Sequence, residues 1–288
     1  MPYTTRGNDH HHMSTAQIIA LGAIAGLTIF LGLPVGRMSN VGPRLRSGLA
    51  ATALGILLFL LWDVIENGVS PVETNLDAHA WGRFSWLAAL LGVGFVVGYM
   101  GLVYYDKWMG RRATGFVGPG AAAVDEFRSR SWIESLTPAR RLALLIATGI
   151  GLHNFGEGLA IGQSAAAGEI ALAVTLIVGF GLHNATEGFG ICGPLAADAE
   201  RPGWGFLAAM GLIGGGPTFV GTVVGQAWVS EALSVVFFAL AAGSILYVVQ
   251  QLFHVSRKFA APTLVGWCIA GGLILGFATD FVVAAAGG

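Results

Sequence analysis

Two stretches thirty residues apart carry the same set of metal-ligating side chains: Gly151-Leu152-His153-Asn154-Phe155-Gly156-Glu157-Gly158 and Gly181-Leu182-His183-Asn184-Ala185-Thr186-Glu187-Gly188. On a helix, residues at i and i+4 share one face, so His153 projects with Glu157 and His183 with Glu187, while each neighbouring Asn lies about 100° around the axis. Imidazole, carboxylate and amide oxygen together form a borderline donor set. It suits borderline first-row ions such as zinc, and with no thiolate nearby it disfavours Cu(I); among zinc, iron, manganese and cadmium the sequence leaves the preference open. The plainer alternative is a pair of inter-helical hydrogen bonds in which His donates to Glu and Asn ties the helices together.

The elements that must position these residues are membrane spans. The 288-residue chain is 55% apolar and 11% charged, with a mean hydropathy of +0.70, far above that of a soluble domain. A crossing takes about 20 mainly apolar residues. Eight such runs are expected: 15–36, 47–69, 84–105, 140–165, 169–195, 203–229, 231–254 and 262–286. The fold class is therefore an all-α polytopic membrane protein: a polar tail over 1–14, then one transmembrane domain of eight helices. Each motif His falls thirteen or fourteen residues into its run, about 20 Å along the axis and near the midplane. An ionised Glu there costs about 2.5 to 3.5 kcal/mol, which calls for a bound cation or a wet cavity.

Of the 15 Lys and Arg residues, all but Arg6 and Arg83 fall in alternate loops. The positive-inside rule then places both termini outside, and puts a loop at about 106–139 in the cytoplasm. Within that loop, Asp125 to Leu136 is expected either as a short surface helix with Trp132 and Leu136 facing the interface or as solvated loop. Thr137-Pro138 suits an N-cap followed by proline at the first helical position. Tyr104, Tyr105 and Trp108 read as interfacial anchors.

Several classes are excluded or disfavoured. A net charge of -1 gives no basis for nucleic-acid binding. Cys192 and Cys268 form no C-x-x-C pair. No H-E-x-x-H occurs, which argues against an intramembrane metal-dependent hydrolase and for a non-enzyme without a catalytic cofactor. No cleavable signal peptide is expected. The tract His10-His11-His12 offers metal capture at the terminus or an incidental run.

With the repeated His-Asn-x-x-Glu-Gly on its fourth and fifth runs, the chain resembles the Zrt/Irt-like (ZIP) metal transporters. The likeness spans essentially all the runs. It implies a 3+2+3 arrangement of inverted repeats, alternating access, and transport of a divalent metal, zinc foremost, through the plasma (inner) membrane towards the cytoplasm. It also implies metal ligands at His153, Asn154, Glu157, His183, Asn184 and Glu187. The expected partners are the metal ion and the bilayer, and homodimer formation is compatible with the reading. The chain departs from the family pattern at Gly156 and Thr186, where proline is usual before each motif Glu. Gly216 stands where many relatives have a bridging Glu, and Gln250 or Gln251 stands in place of a seventh-helix Glu. Asp63 and Glu66 read as an entrance or a solvated helix end, Asp280 as an entrance residue or a cap, and His254 as an exit residue or an interfacial histidine. A cation channel using the Glu pair is a further alternative.

Overall fold

The helices begin where their sequences say they should. Ser14 caps α1 (Thr15–Leu27) through a reciprocal box, its hydroxyl accepting from the Gln17 backbone while the Gln17 side chain accepts from the Ser14 backbone, which satisfies two end donors at once. The chain then tightens into 3-10 turns at Thr28–Leu31 and Leu33–Arg37. Beyond these run α2 (Pro43–Asp77), α3 (Trp81–Ala113), α4 (Pro138–Ala166), α5 (Ile170–Cys192), a 3-10 turn at Gly193–Ala197, α6 (Trp204–Ala227), α7 (Glu231–Ser256) and α8 (Pro262–Ala285). Thr137 caps α4 as expected, its hydroxyl accepting from the Arg140 backbone with Pro138 at the first position. The computed structural model describes residues 14–38, 42–113, 136–168, 170–198, 200–256 and 261–285.

All regular structure among the described residues is helical. Seven of the eight helical segments are long and apolar enough to cross a membrane: 15–37, 47–77, 81–111, 138–166, 204–227, 231–254 and 262–281. The chain is an integral, polytopic, all-α membrane protein. The remaining helix, α5, has 23 residues and carries His183, Asn184 and Glu187. The second and third crossings reach well past their expected ends because α2 and α3 continue as helices beyond the apolar runs. Asp106 to Ala113, expected in the loop, is the last part of α3. Leu136 does not face the interface: it is 7% exposed and belongs to the main core cluster, since the chain entering α4 folds its last apolar side chain inward. Trp132 and His10 to His12 lie outside the described residues.

Packing divides the helices into two groups. α1, α4, α5 and α6 pack on one another, as do α2, α3, α7 and α8, with α2 on α8 and α3 on α7. Within a group, backbones touch. A Cβ at Gly158 would strike the Thr218 carbonyl, and one at Gly221 the Phe155 carbonyl, so α4 and α6 close on reciprocal glycines. The same reciprocity joins α2 to α8 through Gly55 and Gly272, and α3 to α7 through Gly98 and Gly243. Between groups the nearest neighbours are side chains: Gly149 meets Ser244 and Ile245, Gly156 the Phe238 ring, and Gly193 the Ala53 methyl. Close backbone approach of this kind is how helices associate where lipid gives no hydrophobic drive.

Replacing Gly221 with Ala is expected to cost about 1–3 kcal/mol, because rigid backbone atoms must move apart. Gly271→Ala, at a position where an added Cβ meets nothing within 4 Å, should be neutral or stabilising by up to about 1 kcal/mol. Reversible unfolding of both variants in detergent micelles checks the contrast.

Candidate metal centre

Direct packing of α4 on α5 brings the two motifs together. α4 and α5 pass through their motifs without interruption, so each His–Glu pair keeps its i, i+4 register. The six motif residues are all buried, none more than 6% exposed. The His153 and His183 rings stand edge to face with centroids 5.9 Å apart. Each is backed by a phenylalanine from the other helix group, His183 by Phe59 and His153 by Phe238.

The donor atoms converge. His153, Glu157 and His183 each offer one ligand atom, all within 4.8 Å of one another. His153 Nε2 lies 3.1 Å from Glu157 Oε1 and 3.7 Å from Glu187 Oε1, and His183 Nε2 lies 3.6 Å from that same Glu187 oxygen. Yet His153 Nε2, His183 Nε2, Glu157 Oε2 and Glu187 Oε1 are buried with no hydrogen-bond partner. A helix-bonding role would have His donate to Glu; here the groups face common space without bonding one another. Buried polar atoms are normally satisfied, and a cluster of orphaned donors and acceptors is the exception that asks for a ligand.

The asparagines sit differently. Asn154 Nδ2 donates both to Glu187 Oε2 at 2.9 Å and to the Gly214 carbonyl at 3.0 Å, tying α4 to α5 and α6. Asn184 Nδ2 donates to the Ala25 carbonyl at 2.9 Å, tying α5 to α1. These bonds occupy the amide nitrogens and leave both Oδ1 atoms buried and without partners, so amide oxygen remains available to a cation. Asn154 also fixes the Glu187 carboxylate, holding Oε2 so that Oε1 faces the two imidazoles. Thr186 turns its hydroxyl to the His183 carbonyl at 2.7 Å. Gly156 leaves the room that the Phe238 ring occupies.

A cavity of about 280 Å³ leads from the motif residues. Its polar wall is His153, Glu157, His183, Asp63, Asn67 and Asp280, and Ala160, Leu176, Phe180 and Phe238 supply the apolar part. The structure thus brings Asp63 and Asp280 to the centre's approach, while Glu66 is exposed and lies off that wall. Asn67 Nδ2 braces Asp63, donating to its carboxylate at 3.2 Å. His254 lines a separate recess with Gln250, Gln251 and Phe253. Sequence reasoning missed Asn67, whose i, i+4 spacing from Asp63 was the available signal. It also missed the pairing of Asp106 with Arg141, discussed below.

This chain matches no protein-family model and no curated protein.

Asn154→Ala is expected to destabilise the protein by about 1–3 kcal/mol, since it strips a donor from a buried carboxylate and a buried carbonyl together. Asn184→Ala should cost less, because the Ala25 carbonyl still accepts from the Thr28 hydroxyl at 2.7 Å. Chemical unfolding of the two variants, compared in one detergent, measures the difference.

Proposed function

We propose that the protein carries a divalent transition metal, zinc foremost, across a membrane, and that it is a Zrt/Irt-like transporter with its substrate site at His153, Glu157, His183 and Glu187. Asn154 and Asn184 complete the site through their free amide oxygens. The observation that carries the reading is the convergence of two imidazoles and two carboxylates, whose contacts leave His153 Nε2, His183 Nε2 and Glu187 Oε1 without a hydrogen-bond partner, beside a cavity that His153, Glu157 and His183 line inside a bundle of apolar helices. Two carboxylates balance the charge of one divalent ion, and imidazole nitrogen favours borderline metals over calcium or magnesium.

In this reading α5 is the eighth span, and the order is three helices, the motif pair, then three. The pairing of helices supports inverted repeats. If α1, α2 and α3 correspond to α6, α7 and α8, the α2–α8 contact maps onto α7–α3, and both exist with reciprocal glycines. The charge bias of the loops supports both termini outside, and the resemblance implies inward flow across the plasma or inner membrane. Alternating exposure then requires one helix group to shift against the other, along seams made of side chains.

The test is metal uptake into proteoliposomes that hold a zinc-sensitive dye. The intact protein is expected to give saturable uptake, and His153→Ala and Glu187→Ala to reduce it about tenfold or more, the scale on which losing support for a ligand already acts. Unchanged saturable uptake in both variants would remove the site assignment. Flux that follows the gradient without saturating would identify a channel instead.

A further inference from the structure

The two helix groups are tied together by an ion pair at the end opposite the cavity. Arg141 Nη2, at the start of α4, donates to Asp106 Oδ1 near the end of α3 at 2.6 Å. The second Asp106 oxygen accepts from the Tyr247 hydroxyl of α7 at 2.6 Å, and that hydroxyl accepts from Gln251 Nε2 at 2.8 Å. Asp106, Tyr247 and Gln251 belong to one group and Arg141 to the other. The remaining side-chain hydrogen bonds described above, from Asn154, Asn184, Asn67 and Thr28, each stay within a single group.

Position along α4 gives this pair its meaning. Ala160, seven residues beyond His153, lines the cavity, whereas Arg141 lies twelve residues before His153, about 18 Å away along the axis. Between Arg141 and the metal centre the bundle is closed by Ile146, Ile150, Ile245 and Val248, each at most 1% exposed, with Ile245 against Gly149 across the seam. One side of the centre is therefore open and the other shut. The polar fastening of the shut side is Arg141 with Asp106. The fastening is incomplete, since Arg141 Nε is buried without a partner and the contact falls short of the bidentate fork that makes arginine–carboxylate pairs strongest. Asp106, by contrast, is held in place from its own group by Tyr247, and Tyr247 by the edge of the Tyr99 ring at 5.9 Å.

We propose that Arg141 and the Asp106–Tyr247–Gln251 chain form a latch: it holds the seam between α4 and α7 shut on the side away from the cavity, and it must part for the metal centre to be exposed there. The proposal rests on the transport reading only for what the opening accomplishes. The closure itself is a property of the fold.

Ser244 on α7 supplies the reporter. It is 1% exposed, faces Gly149 across the seam, and lies one turn inside Tyr247. In full-length protein reconstituted in liposomes, with Cys192 and Cys268 replaced by Ala, Ser244→Cys is expected to react slowly with a water-soluble maleimide. Adding Asp106→Asn or Arg141→Gln should speed that reaction on the order of tenfold, equivalent to about 1.4 kcal/mol of latch strength. The two together should give no more than either alone. Thr222→Cys, buried on α6 inside one group, should stay protected in the same backgrounds, and Arg83→Gln, which breaks the Arg83–Glu231 pair within the other group, should leave Ser244→Cys slow. An unchanged rate at Ser244→Cys would overturn the latch. So would equal acceleration at Thr222→Cys, which would show general loosening. Opening without metal uptake by the intact protein would leave the latch standing and remove the transport reading.

Discussion

Glu157 and Glu187 are buried among apolar helices, and that placement constrains everything around them. A carboxylate in such surroundings costs several kcal/mol unless something answers its charge, and the surrounding structure supplies a partial answer. One oxygen of Glu187 takes an amide proton from Asn154. The other faces two imidazole nitrogens at 3.6 and 3.7 Å. For Asn154 to reach Glu187 while also bonding the Gly214 carbonyl, α4, α5 and α6 must lie within a side chain's length of one another. The glycine contacts of Gly158 and Gly221 make that possible. The composition of 44 glycines is in this sense a requirement of the buried acids: the polar centre needs close helices, and close helices need residues without side chains.

The same contacts set where the molecule is stiff. Backbone against backbone leaves no rotamer to adjust, so α4 with α6, α2 with α8 and α3 with α7 behave as paired units. The seams between the groups are made of Phe238, Ser244, Ile245 and Ala53, side chains that repack when neighbours slide. Gly188 abuts the Ile29 carbonyl inside one group, and Gly190 meets nothing within 4 Å. A small residue marks closeness; it does not say whether the close pair moves.

Much of the architecture was legible in the sequence because hydropathy and capping are local. The apolar runs, the Ser14 and Thr137 caps and the i, i+4 motif faces all follow from residues within one or two turns of each other. What escaped was whatever depends on a distant partner. Asp106 and Arg111 look like loop residues, since charge ends an apolar run, yet the helix continues because Asp106 meets Arg141 and Tyr247, thirty-five and 141 positions away. Leu136 looked interfacial because its spacing from Trp132 is helical, and it is buried because α4 starts beneath it. Asp63 and Glu66 are three residues apart and equal in sequence; only the neighbouring Asp280 and His153 distinguish the one that faces the cavity.

The departures from the pattern of the transporters that the motifs resemble bear on how many ions the proposed site would hold. The usual proline before each motif Glu would open the helix at the ligands, whereas here α4 and α5 run through unbroken. The irregular backbone lies instead in the 3-10 turns after α1, against which α5 packs through Gly188. Charge leads to the same place. Glu157 and Glu187 would neutralise one divalent cation, and Gly216 adds no third carboxylate. A second ion at the centre would carry two uncompensated charges in a low-dielectric bundle, a cost that the vestibule acids Asp63 and Asp280, lying farther out along the cavity wall, answer only in part. On the proposed transport reading, this donor set would favour one ion at a time in the centre, with Asp63 and Asp280 attracting the next.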